Sequence, residues 1–175
     1  MQFRRSITIA LLLGTAACVA PRPAPTPTPP VQQPVARPTP APLPAPAFTN
    51  WIDAPQTPGD WRYSPVSGGS EARFGEAASE PRFAMRCVPA SRSVELIRAG
   101  NFAASAPVTV RTEFDNRALA GSPVNGAMRV VLAASDPLLD SMALSKGRFA
   151  IGVAGAPPLY LPSWPEVTRV IEDCR

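Results

Sequence analysis

Between Val19 and Ala47 proline recurs at nearly every second position, and this stretch holds half of the chain's 24 prolines. Each one removes a backbone N–H and holds φ near −65°, so neither a helix interior nor a central strand accepts the run. The intervening residues are Ala, Thr, Val, Gln and Arg, with Leu43 as the one larger aliphatic and no acidic residue. Too little apolar surface is on offer to offset the entropy of folding, so an extended, largely polyproline II segment is expected. At about 3.1 Å per residue its reach is on the order of 90 Å. A hydrophobic core therefore has to come from residues 48–175, as one domain of ordinary size. Service as a PxxP ligand for an aromatic groove is the alternative use of the proline run.

What precedes the run reads as an address. Residues 1–17 carry Arg4 and Arg5, an apolar stretch from Ile7 to Leu13, and the small residues Gly14-Thr15-Ala16-Ala17 before Cys18. This is the pattern of a secretory signal, with an apolar region too short to span a bilayer. Its end resembles the lipobox of bacterial lipoproteins, with Thr15 where Leu is preferred, and that resemblance implies diacylation of Cys18. Residues 18–47 are then a lipidated tether, and Cys18 is the contact with the membrane. Val19 rather than Asp follows the cysteine, which by the same analogy points to the outer membrane. Ordinary cleavage would instead leave Cys18 as a free thiol on the tail.

Charge separates in the same way. The net charge of +4 comes from 17 Lys and Arg against 13 Asp and Glu. Arg4, Arg5, Arg22 and Arg37 lie in the signal and tether, while every acidic residue lies beyond Ala47. The domain is thus formally neutral, and no nucleic-acid partner is expected.

Within the domain the Pro-rich segment Trp51 to Asp60 reads as an irregular strap. Short alternating runs follow near 61–63, 71–74, 83–87, 94–98, 108–114, 128–133, 149–153 and 159–161, separated by Gly, Pro, Ser and Asn. The fold class expected is mainly β: an antiparallel sandwich or strongly curved sheet, with one short internal helix and a C-terminal helix. Ser67-Gly68-Gly69-Ser70 reads as a hairpin turn. The internal helix starts at Ser135-Asp136-Pro137, has Leu138, Leu139 and Met142 as its apolar stripe, and stops at Lys146-Gly147. For the last helix, Trp164 to Cys174, Ser163 and Glu166 have capping-box spacing and Pro165 suits the first turn. Its period gathers Trp164, Val167, Val170, Ile171 and Cys174 on one face.

Cys174 ends that face, and alternation puts Cys87 on the apolar side of the run Phe83 to Cys87 together with Phe83 and Met85. In an oxidising compartment a Cys87–Cys174 disulfide would staple the last helix to the sheet. In a reducing one they would be two buried thiols.

Candidate chemistry is sparse. No His occurs in the chain, which removes Ser-His and Cys-His arrangements. P-loop, GxSxG, HExxH and EF-hand spacings are missing, and two cysteines without His do not complete a zinc set; no cofactor or metal is expected. Asp136 and Asp140 lie one turn apart and have the form of an acid–base pair, though a helix cap and a solvated ion-pair partner explain them as well. Arg62, Arg73, Arg82, Arg86, Arg111, Arg129 and Arg148 alternate with apolar neighbours. Arg82, Arg86, Arg111 and Arg129 are the candidates for an anion-binding face, unless Glu71, Glu95 and Glu113 neutralise it across the strands.

The blocks DPLLDSMALSKGRFAIGV and LYLPSWPEVTRVIEDCR, with GDWRYSP and RFAMRC before them, resemble a family of lipoprotein-like envelope proteins of alphaproteobacteria with no assigned activity. The resemblance covers nearly all of the domain. It implies an envelope location and the Cys87–Cys174 pairing, and it brings no catalytic residue. The expected function is that of a non-enzymatic, membrane-anchored periplasmic lipoprotein that binds or supports an envelope protein or glycan. The alternatives are a small inhibitor of an envelope hydrolase and an enzyme working through carboxylates.

Overall fold

A computed structural model describes residues 50–175; the signal, Cys18 and the proline tether lie outside the described residues. Ten strands form two antiparallel sheets among the described residues, with two short α-helices. The larger sheet begins as a meander of β1 (Asp60–Val66), β2 (Gly69–Gly75), β3 (Phe83–Val88) and β4 (Ser93–Ala99). It is completed by β8 (Ala127–Ala133) on β4 and by β7 (Ser122–Val124) at the edge, giving the order β1-β2-β3-β4-β8-β7. The smaller sheet has the order β10-β9-β5-β6, from β5 (Val108–Arg111), β6 (Asn116–Leu119), β9 (Arg148–Val153) and β10 (Leu159–Pro162). Helix α1 (Pro137–Ala143) joins β8 to β9, and α2 (Pro165–Glu172) follows β10.

Alternation explains the core. Phe74, Phe83, Met85, Cys87, Val94, Leu96, Met128, Val130 and Leu132 come from one parity of the large sheet, and Val108, Val110, Phe149, Ile151, Leu159 and Leu161 from one parity of the small one. Every one of them is buried, as the period of two requires for two sheets packed face to face. Trp61 joins the layers: its ring lies 5.3 Å from that of Phe74 and 6.5 Å from that of Phe149, and its Nε1 donates to the Pro162 carbonyl at 2.8 Å. That bond satisfies the one polar atom such a side chain carries into a core.

The β1–β2 turn is the expected hairpin, with Val66 opposite Gly69 across Ser67 and Gly68. Gly69 is obligatory, because a Cβ there would lie 2.1 Å from the carbonyl oxygen of Cys87. The strap before β1 runs along the free edge of β10: Thr57 N donates to Tyr160 O at 3.0 Å and Tyr160 N donates to Thr57 Oγ1 at 2.9 Å. An edge strand that would otherwise expose its backbone is thereby closed.

Three sequence expectations give way. The run 108–114 does not continue as one strand. Thr112 Oγ1 accepts from the backbone N–H groups of Phe114 and Asp115 at 3.2 and 2.8 Å, and the chain reverses into β6. Local capture of backbone donors by a Thr hydroxyl outcompetes the ladder. Strands β6 and β7 lie outside the runs read from the sequence, where Asn, Arg, Ser and Pro interrupt the alternation. The capping box of α2 does not form. Trp164 is the N-cap residue, without a side-chain bond, while Ser163 Oγ donates to the Met142 carbonyl at 2.8 Å near the end of α1. An unpaired carbonyl at a neighbouring helix end competes for the same hydroxyl, and Glu166 Oε2 has no partner among the described residues. Trp164 itself leaves the apolar face and is 38% exposed.

The rest of α2 follows its period, with Val167, Val170 and Ile171 buried against β1, β2 and β3. Cys87 and Cys174 are bonded, with Cα atoms 5.4 Å apart across a separation of 87 residues. Tyr63 Oη and Ser70 Oγ both donate to Asp173 at 2.8 and 2.5 Å, and the Arg169 guanidinium lies 3.8 Å from the centre of the Tyr63 ring. Replacing Cys174 by Ser should therefore loosen α2 first. The chain-entropy limit for a loop of this length is roughly 4 to 5 kcal/mol. The expected outcome is a lower Tm, with amide exchange in residues 165–174 accelerating ahead of the strands; uniform acceleration over the whole domain would contradict the staple role.

A candidate anion-binding groove

Arg98 occupies the last inward position of β4. Val94 and Leu96 precede it on the same parity and are buried, and in register it stands beside Phe83 at the mouth of the sandwich. A guanidinium cannot stay in the apolar layer, so the stem follows the core and the head turns outward to polar groups. Its Nη1 donates to the carbonyls of Ala99 at 2.7 Å and Arg82 at 3.3 Å, its Nη2 reaches the Pro157 carbonyl at 3.4 Å, and the group lies 5.9 Å from the centre of the Phe102 ring. No carboxylate pairs with it among the described residues.

Arg98 and Arg82 line a groove of about 330 Å³ whose walls are Pro55 and Pro58 of the strap and Pro157 and Pro158 of the β9–β10 loop. Its lining contains no Asp or Glu. Arg82 pairs with Glu76 at 2.6 Å, with both side chains half exposed, a surface contact of little energy. Burial, and then the charge of Arg82, hold the Arg98 guanidinium below the usual arginine range. An anion in the groove would compensate both by pairing with the charge. The arrangement offers two cations, rigid proline walls and the Tyr160 ring, and it suits a carboxylate or a phosphate oxygen.

The four arginines proposed from sequence as one face are divided by the fold. Arg82 lines the groove. Arg86 stands on the outward side of β3 with Glu71 and Glu95 opposite it in the flanking strands, and Arg129 pairs with Glu95 at 3.1 Å. Arg111 belongs to the other sheet, 5.9 Å from the centre of the Trp51 ring. Glu113 sits in the β5–β6 turn and pairs with Lys146 at 3.3 Å. The outward face of the large sheet is thus interleaved with carboxylates. Arg98 was the residue to single out, and its parity was the available signal: an arginine in phase with Val94 and Leu96.

A larger hollow of about 550 Å³ lies beside the C-terminus, lined by Arg92, Ser135, Asp140 and Arg175. Arg175 pairs there with Asp140 at 2.6 Å and with Glu172 at 3.2 Å, and Arg92 donates to the Arg175 carbonyl at 3.4 Å. Asp136 is occupied as well. Its carboxylate accepts two bonds from Arg117, at 2.6 and 3.3 Å, and caps α1 by accepting from Leu138 N at 2.9 Å. Asp136 and Asp140 therefore face different partners and do not converge on a common point of reaction.

Burial by itself would raise the Asp136 carboxyl, but the bonds from Arg117 and Leu138 outweigh it and hold the group below the usual carboxylate range. A depressed folded value contributes stability that is present above the unfolded pKa, about 3.9, and is lost as pH falls through the folded value. Asp136→Asn keeps an oxygen able to cap Leu138 N but removes the charge paired with Arg117, so it should lower Tm at neutral pH by the equivalent of about 1 kcal/mol or less, and the gap to wild type should close below about pH 3. Thermal melts across pH test this; a gap independent of pH would refute it.

No family model, curated protein or solved structure matches the chain.

Proposed function

We propose that this chain is a non-enzymatic, lipid-anchored envelope protein whose domain binds an anionic envelope component in the Arg82–Arg98 groove. The observation that carries the reading is Arg98: a half-buried cation in a groove whose lining has no carboxylate. Desolvating a guanidinium beside a second one is unfavourable until an anion arrives. The carboxylates that an acid–base mechanism would draw on, Asp136 and Asp140, are engaged in a helix cap and ion pairs. The resemblance of the N-terminal sequence to a signal with a lipobox at Cys18 supports an anchor in the periplasm, with Val19 favouring the outer membrane. The disulfide fits an oxidising compartment, and the proline run supplies reach.

Two measurements test the two halves separately. The wild-type chain should partition with membranes, and Cys18→Ser should release it or stall its processing; equal partitioning of the two would remove the anchor. In detergent, the full chain should show phosphate- or acetate-dependent shifts at the Arg98 side-chain resonances, and Arg98→Gln should weaken binding about tenfold or more, as expected for one charge-assisted contact of 1.5 to 3 kcal/mol. Unchanged affinity in Arg98→Gln would remove the groove from the proposal.

A further inference from the structure

Five large apolar side chains are exposed among the described residues: Ile52 at 43%, Phe114 at 64%, Val131 at 55%, Leu144 at 71% and Trp164 at 38%. Single exposed apolar residues are normal, so their placement is what matters. Val131 stands on the outward side of the large sheet, opposite Glu95. The other four come from four separate segments, and the contacts around them bring those segments to one end of the small sheet.

The β5–β6 turn reaches the end of α1 through Glu113 N donating to Ser145 Oγ at 3.2 Å and through the Glu113–Lys146 pair. Phe114 is therefore on a tip beside the one that carries Leu144. Ser163 N donates to Gly147 O at 3.3 Å and Ser163 Oγ to Met142 O at 2.8 Å, which sets Trp164 next to the same short loop. The strap arrives at this end too: the Arg148 guanidinium donates to the Ala54 carbonyl, and Trp51 lies against Arg111. Ile52 follows directly. Arg111, Arg148 and Pro162 are the strand residues nearest these tips, whereas Pro157, Pro158 and Val153 mark the opposite end of the same sheet. The anion groove is at that opposite end.

We propose that Ile52, Phe114, Leu144 and Trp164 form a membrane-docking end that inserts into the interfacial layer of a lipid bilayer. Three observations select a bilayer over a protein partner. The apolar groups project from separate tips and do not line one groove, an arrangement that a fluid surface accommodates without shape complementarity. Trp and Phe are side chains that favour the headgroup level, where an apolar ring and a polar N–H are both satisfied. Arg111, which has no carboxylate partner among the described residues, stands at the same end of the small sheet and can complement an anionic headgroup, while Lys146 at these tips is paired with Glu113.

Chain geometry agrees. The described chain starts at Asn50, two residues from Ile52, and the sequence upstream leads to Cys18. Docking in this orientation turns the Arg82–Arg98 groove away from the bilayer. The inference rests on the envelope location proposed above, yet it concerns the protein surface and not the acyl chain.

The test keeps the two apart by removing the acyl chain. Full-length Cys18→Ser protein is mixed with vesicles of phosphatidylethanolamine and phosphatidylglycerol (3:1), and binding is read by co-sedimentation and by quenching of tryptophan fluorescence with brominated acyl chains. Cys18→Ser should bind and be quenched. Cys18→Ser combined with Phe114→Ser and Leu144→Ser should bind about tenfold or more weakly, since two of the four apolar tips are then lost to the interface. Both substitutions are at exposed positions, and an unchanged Tm confirms that the fold is kept. Equal vesicle binding by the two proteins, or none by either, overturns the proposal. A concentration-dependent dimer that Phe114→Ser and Leu144→Ser abolish, without vesicle binding, would assign the end to a second copy and overturn it likewise.

Discussion

The bond between Cys87 and Cys174 ties the penultimate residue of the chain to a strand inside the larger sheet, and the rest of the architecture depends on it. A six-stranded sheet packed on a four-stranded one leaves inner surface on β1–β3 to be covered by something else, and α2 lies against those strands. At eight residues a helix is marginal by itself. Its three buried aliphatics contribute about 1.5 to 3 kcal/mol each when fully buried, and the disulfide prevents the end of the chain from leaving. Asp173 then adds a polar lock one residue before the sulfur, accepting from Tyr63 and Ser70 on β1 and β2.

Electrostatics follow from that closure. A formally neutral domain has enough carboxylates to pair with many of its cations, and the fold spends most of them on structure: Asp136 on a cap and Arg117, Asp140 on Arg175, Glu95 on Arg129, Glu113 on Lys146. Arg117 points inward from the edge strand β6, where a charge also discourages pairing with another chain. Among the cations left without a carboxylate partner in the described residues are Arg98, in a groove whose lining has no Asp or Glu, and Arg111 at the opposite end of the small sheet. The two ends of one sandwich thus differ in kind, one polar and recessed, the other apolar and projecting.

Much of the fold was legible in the sequence because it rests on local periodicity. The strand parities of Phe83-Met85-Cys87 and Phe149-Ile151-Val153, the Asp136 cap with its following proline, and the α2 stripe of Val167, Val170 and Ile171 each report a single element's own geometry. The two sulfurs could be aimed at one core for the same reason. Strand order could not be read, since hydrogen bonding between β4 and β8, or β5 and β9, joins residues that share no local signal.

Where local and tertiary demands competed, the sequence alone misled. Ser163 has the spacing of a helix cap, but the free Met142 carbonyl of another helix takes its hydroxyl; Trp164 has the phase of a buried residue, but the turn out of β10 leaves it exposed. The arginines seemed one set because alternation records which side of a strand a residue occupies and not which sheet the strand joins. The sequence by itself determined the strand parities, most of the core and the sulfur pair, all consequences of periodicity in a chain whose residues 19–47 offer little to bury. Only the tertiary structure decided which cations meet carboxylates and which apolar tips share an end, because those depend on distances between segments that the chain order leaves free.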